Sequence, residues 1–85
     1  MQKLMPKDKL KITKDGIEYE FEVAEEGGYF VAVPELPGCV SEGETFEEAW
    51  EMIQDAMNGW LHVAREHGDP IPSRFLHLAQ PAPNG

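Results

Sequence analysis

Carboxylates dominate the side chains able to do chemistry: 16 Asp and Glu stand against 7 Lys and Arg in 85 residues, a formal charge of -9. Glu18, Glu20 and Glu22 alternate along one segment, and Glu44, Glu47, Glu48 and Glu51 gather where a helix should begin. A divalent-metal nuclease needs carboxylates from separate elements converging on its ions, because such ions take several oxygen ligands. Here each acidic group stays on one element, and no expected strand contains an aspartate. His62 and His67 miss the three- or four-residue spacing that aligns ligands on a helix. Cys39 follows Pro37-Gly38 with no nearby cation to lower its pKa, so it reads as a small side chain closing a loop. Ser41 and Ser73 lack a glycine elbow, and Gly27-Gly28 leads into no helix that would cradle a phosphate. No catalytic, cofactor-binding or metal-binding residue is therefore assigned, and the chain is not expected to be an enzyme. A divalent-metal nuclease stands last among the readings.

The charge is also distributed unevenly. Lys3, Lys7, Lys9, Lys11 and Lys14 fall in the first fourteen residues, whereas Asp15 to Ala64 holds thirteen acids and no lysine or arginine. Such a body repels phosphate and attracts cations or a basic protein. It argues against duplex binding, which draws its affinity from lysine and arginine on phosphates. One cysteine excludes an internal disulfide, and neither a signal peptide nor a membrane-length apolar run is visible. A cytoplasmic protein of one small domain is expected: a loose basic arm over 1–8, a core over 9–78 and a frayed tail over 79–85.

Periodicity supplies the elements that position these residues. Leu10 and Ile12 alternate with lysines, Asp15-Gly16 makes a turn, and Ile17, Tyr19, Phe21 and Val23 alternate with glutamates, which predicts a β-hairpin. The glutamate face is expected to be solvated or paired with the lysines of the neighbouring strand. Tyr29 to Val33 reads as a strand apolar on both faces, ended by Pro34 and Pro37, and Cys39 to Glu42 as one further short strand. Thr45-Phe46-Glu47-Glu48 is a capping box, with the Glu48 carboxylate expected on the Thr45 amide. Phe46, Ala49, Trp50, Ile53, Ala56, Met57, Trp60, Leu61 and Ala64 form an apolar stripe predicting a helix over 46–67, stopped at Gly68. Phe75 to Leu78 is expected to add a short strand or pack on the core.

The result is an α+β fold: an antiparallel sheet of three to four strands with one long helix on one face. One helix covers one face only, so self-association is expected to close the other, as a dimer or tetramer, through Phe30 and Ala32. Gly59 in mid-helix suggests close approach of another backbone, and is placed in the same contact.

Two motifs then carry a resemblance. PELPGC at 34–39 and GETFEEA at 43–49, preceded by Gly-Gly-Tyr at 27–29 and followed by Gly68 and Ile71-Pro72, resemble the HicB-like antitoxin family. The resemblance spans 18–72, with Ser73 where the family often has a second proline. It implies a partial ribonuclease H-like fold without nuclease activity. It further implies a type II antitoxin that binds a small basic mRNA-cleaving RNase toxin and covers its RNA-binding surface. For that partner, Glu47, Glu48, Glu51 and Asp55 are assigned to attraction, and Glu35, Glu42 and Glu44 to a rim on the loop side. Many family members carry a C-terminal DNA-binding domain. This chain ends soon after Ile71-Pro72, so DNA binding is not expected. A stand-alone oligomeric scaffold or regulatory protein without a toxin is the alternative.

Overall fold

The computed structural model describes residues 5–76. Expectations for residues 1–4 of the arm, for Leu78 and for the tail 79–85 lie outside the described residues. Four strands, β1 (Lys9–Lys14), β2 (Ile17–Val23), β3 (Tyr29–Ala32) and β4 (Val40–Gly43), precede one helix, α1 (Phe46–His67), and a 3-10 turn (Ser73–Phe75). The strands form one antiparallel sheet in chain order.

Local chemistry explains most of this. Asp15 and Gly16 take φ of 54 and 79, the left-handed pair that a two-residue hairpin turn requires, and Lys14 pairs with Ile17 across it. On the outer face Lys11 lies 3.7 Å from Glu18 and Lys9 lies 4.0 Å from Glu20. These are diagonal neighbours rather than direct partners, since Lys11 sits opposite Glu20. Residues 5–8, read from sequence as the end of a loose arm, turn back on the sheet: the Lys7 amide donates to Val23 O at 2.7 Å and the Val23 amide to Asp8 O at 2.9 Å.

The inner face is the core. Ile17, Tyr19, Phe21, Val31 and Val33 meet Ala49, Ile53, Met57 and Leu61 of α1, and all are buried. Phe21 stacks on Phe46 with centroids 4.5 Å apart, and Tyr19 tilts against Trp50 at 4.7 Å. Phe75 is fully buried and packs on this core from the 3-10 turn, the second of the two roles expected for that segment.

Three expectations are adjusted. β3 stops at Ala32, because the Val33 amide turns to Cys39 O at 3.0 Å and the Leu36 amide to Val33 O, closing a loop before Pro34 and Pro37 would have to join a ladder. β4 consequently begins at Val40, one residue late. Thr45 caps α1 by accepting from the Glu48 amide at 3.0 Å, but the Glu48 carboxylate accepts from Glu44 N at 2.7 Å rather than from Thr45 N. The helix bounds stand as read. Gly68 closes α1 with its amide directed at Arg65 O.

Candidate interaction surface

Two glycines decide where the acids converge. Val23 pairs with Tyr29, and Tyr29 with Gly43, so the β2–β3 turn lies beside the β4–α1 junction. Gly28 sits at φ 84, where a Cβ would stand 2.7 Å from Gly43 O, and a Cβ on Gly43 would fall on the Ala49 backbone. Any side chain at either position would push the turn, the strand and the helix start apart.

That close approach creates a groove of about 620 Å³. Glu22, Glu25 and Glu26 line it from the turn side, and Glu42, Glu44 and Glu48 from the junction side. Val23, Tyr29 and Phe30 supply an apolar wall. Lys7 is the one cation among its lining residues, and its Nζ is paired with Glu25 at 3.2 Å. Six carboxylates against one ammonium make a strongly negative concavity, and concave walls focus such a field. A guanidinium or ammonium on an apolar stem matches it, since the stem can lie on Tyr29 and Phe30 while the head meets the acids.

The residues assigned from sequence fall in three places. Glu42, Glu44 and Glu48 are in the groove. Glu47, Glu51 and Asp55 are exposed along α1, next to it in sequence but outside it. Glu35 stands at the other end of the sheet, where Arg74 holds it at 3.1 Å while also donating to Gly16 O at 3.1 Å. Sequence reasoning misses Glu22, Glu25 and Glu26 as site residues. The signal that could find them lies in the glycines: Gly27-Gly28 follows Glu25-Glu26, Gly43 stands between Glu42 and Glu44, and the contact of Gly28 with Gly43 joins the two groups.

Phe30 and Ala32 lie on the sheet face away from α1, Phe30 about half exposed, and Gly59 lies on α1 with open space where a Cβ would stand. Among the described residues, no other backbone closely approaches Gly59. Val40 lines a concavity with Phe30 and Ala32 on one side and another with Gly59 on the other. The three positions therefore flank the same sheet edge.

Cys39 is buried, and burial pushes its thiol above its ordinary pKa, which suits a packing group. His62 pairs with Glu66 at 3.4 Å on the helix surface. Among the described residues no three His, Cys, Asp or Glu are grouped to hold a metal ion, and no helix is long and apolar enough to cross a membrane.

Comparison with known proteins decides the family. Residues 18–82 match the HicB-like antitoxin of bacterial toxin-antitoxin systems. The chain belongs to the HicB-like antitoxin family. Among its relatives, the antitoxin HicB 1 of Photorhabdus laumondii is 43% identical over 51 residues, 60% of this chain and 33% of that protein. A UPF0150 protein of Synechocystis is 36% identical over 55 residues, 65% of this chain and 75% of its own length. A UPF0150 protein of Thermoplasma acidophilum is 40% identical over 48 residues, 56% and 70% of the two chains. No solved structure matches the chain. In this HicB-like protein the PELPGC motif is the loop that closes β3 onto β4, and GETFEEA is the junction that carries Glu44 and Glu48, two of the six groove acids.

Proposed function

We propose that this HicB-like protein is an antitoxin module that binds a small basic mRNA-cleaving RNase and neutralises it by covering its RNA-binding surface. The acidic groove carries the reading. An RNase holds its substrate through cations that meet phosphates, and a concavity lined by Glu22, Glu25, Glu26, Glu42, Glu44 and Glu48 offers those cations an alternative partner. The acids on the exposed side of α1, Glu47, Glu51 and Asp55, extend the negative field beyond the groove and raise the encounter rate. Inhibition is then steric and electrostatic and requires no chemistry from the antitoxin.

Titration of the protein with a small basic RNase of the toxin class at low salt tests this, read by calorimetry and by loss of RNA cleavage. Formation of a complex that inhibits cleavage supports the proposal. Undiminished cleavage in the presence of excess protein rejects it.

A second reading, that the protein assembles with itself, has its own support. Phe30, Val40, Met52 and Val63 are large apolar side chains each near half exposed or more, and all lie around β4 or on the helix beside it. The two contacts share Phe30 and Glu42 at the margin of the groove, while Val40, Met52 and Val63 lie outside it.

A further inference from the structure

The two edges of the sheet differ. β1 presents Lys9, Lys11 and Lys14 in exposed positions, and lysines on an edge strand oppose pairing with another chain. β4 carries a single charge, Glu42, and a valine, Val40, that is 63% exposed. The Val33 amide bonds to Cys39 O, so by antiparallel alternation Ser41 and Gly43 direct their backbone groups at β3, while Val40 and Glu42 direct theirs outward. Those outward groups form an open template.

A helical stripe stands beside that template. Met52, Ala56, Gly59 and Val63 follow one another at intervals of four, three and four, on a side of α1 adjacent to its buried stripe. Met52 and Val63 are 46% and 49% exposed, and Gly59 leaves a gap at the middle of the row. Because α1 lies chiefly over β4, the stripe and the strand edge form one continuous surface, with Val40 against Gly59 and Ala56, and Met52 against Val40 and Ser41.

We infer that this surface takes a second copy of the same chain, β4 pairing antiparallel with β4 about a two-fold axis at Ser41 to give a continuous eight-stranded sheet. This rests on the self-association proposed above and assigns it a surface. Symmetry argues for a copy of the chain over another partner. Centring the pair on Ser41 sets Val40 opposite Glu42 of the second copy and Glu42 opposite its Val40, so no like charges face each other directly. The same axis makes the two helices antiparallel. Edge strands add at about 4.8 Å, which brings helices lying over them into the roughly 8–10 Å range of helix packing. Met52, which borders Ser41, then lies close to the axis and faces the Met52–Ala56 stretch of the second copy, while the open space at Gly59 leaves room for the partner beside Val40. The acidic first turn, with Glu47 and Glu48, lies toward the last turn of the other helix, with Arg65 and His67. Two copies joined this way are closed, because each contributes its unguarded edge.

Light scattering on the intact chain over a range of concentrations, at low and high salt, tests the assignment. Wild type is expected at twice the 9.6 kDa chain mass, most completely at high salt, where repulsion between two acidic copies is screened. Val40→Lys and Gly59→Arg are expected to return the mass to one chain. Misfolding is distinguished by thermal melting at a dilution where wild type has dissociated to single chains: a side chain at Gly59 starts into open space and replaces a poor helix former, so the Gly59→Arg chain should there melt no lower than wild type. A wild-type dimer unaffected by either change, or broken only by Phe30→Ser on the outer sheet face, overturns this surface and leaves self-association standing. A wild type that is monomeric throughout overturns both.

Discussion

Thr45 and Cys39 each tie one side chain to a measurable property. The Thr45 hydroxyl satisfies the Glu48 amide at the start of α1, and the Glu48 carboxylate in turn holds the Glu44 amide at 2.7 Å. Thr45→Ala removes the first bond and loosens the second, so chemical denaturation should show a loss of about 1 kcal/mol, whereas Thr45→Ser should retain most of the stability. Cys39 behaves differently. Burial raises the pKa of its thiol, so the folded state favours the protonated form. The unfolded chain releases that proton first, at the ordinary thiol pKa of about 8.5. The contribution to stability is therefore complete below that value and is lost as pH rises through the higher folded pKa. Denaturation midpoints taken on either side of the ordinary thiol pKa should fall on the alkaline side, and Cys39→Ala should lose that part of the pH dependence. Thiol labelling at neutral pH should be slow and limited by opening of the loop at 34–39.

At the scale of elements, one substitution made at two glycines should have opposite signs. A Cβ on Gly43 falls on the Ala49 backbone, so Gly43→Ala must displace the helix start from β4 and should cost roughly 1–3 kcal/mol. Gly59 is helical and open, and Gly59→Ala should stabilise the single chain by up to about 1 kcal/mol through helix propensity. Thermal melts of the two variants read the contrast. These glycines also show what the sequence could disclose. The bounds of α1 were legible because Thr45, the acids of the first turn and Gly68 act within a turn of the helix end. The hairpin was legible because alternation and Asp15-Gly16 are local. β4 was displaced by one residue because its start depends on the Val33 amide reaching Cys39, a contact made across a loop. The groove was only half legible for the same reason. Glu44 and Glu48 sit in the visible motif and Glu42 directly before it, whereas Glu22, Glu25 and Glu26 come to them only when Gly28 meets Gly43. Glu35 carries the same charge as the others but stands in the loop after β3, at the end of the sheet away from the groove, where Arg74, distant in sequence and beside the buried Phe75, pairs with it.

At the scale of the whole molecule, a chain of formal charge -9 must reconcile an attractive field with self-repulsion, and ionic strength separates the two. Binding of a basic RNase through the groove gains from unscreened charge, so its affinity should fall as salt rises. Pairing of two acidic copies through Val40, Met52, Gly59 and Val63 is opposed by unscreened charge and should strengthen as salt rises. A triple variant, Glu26→Gln, Glu42→Gln and Glu44→Gln, makes the difference measurable. All three side chains line the groove and none accepts the capping bonds of α1, which go to Thr45 and Glu48, so the fold should persist. Loss of three exposed rim charges should weaken RNase binding by about tenfold or more at low salt, most of it in the association rate, and flatten the dependence on salt. The same change should leave dimer mass unaltered or slightly favoured, because Glu42 is the only charge on the pairing strand. If the variant bound the RNase with unchanged affinity and unchanged salt dependence, the groove would not be the contact, and the acids of the outer helix face, Glu47, Glu51 and Asp55, would be the next to neutralise.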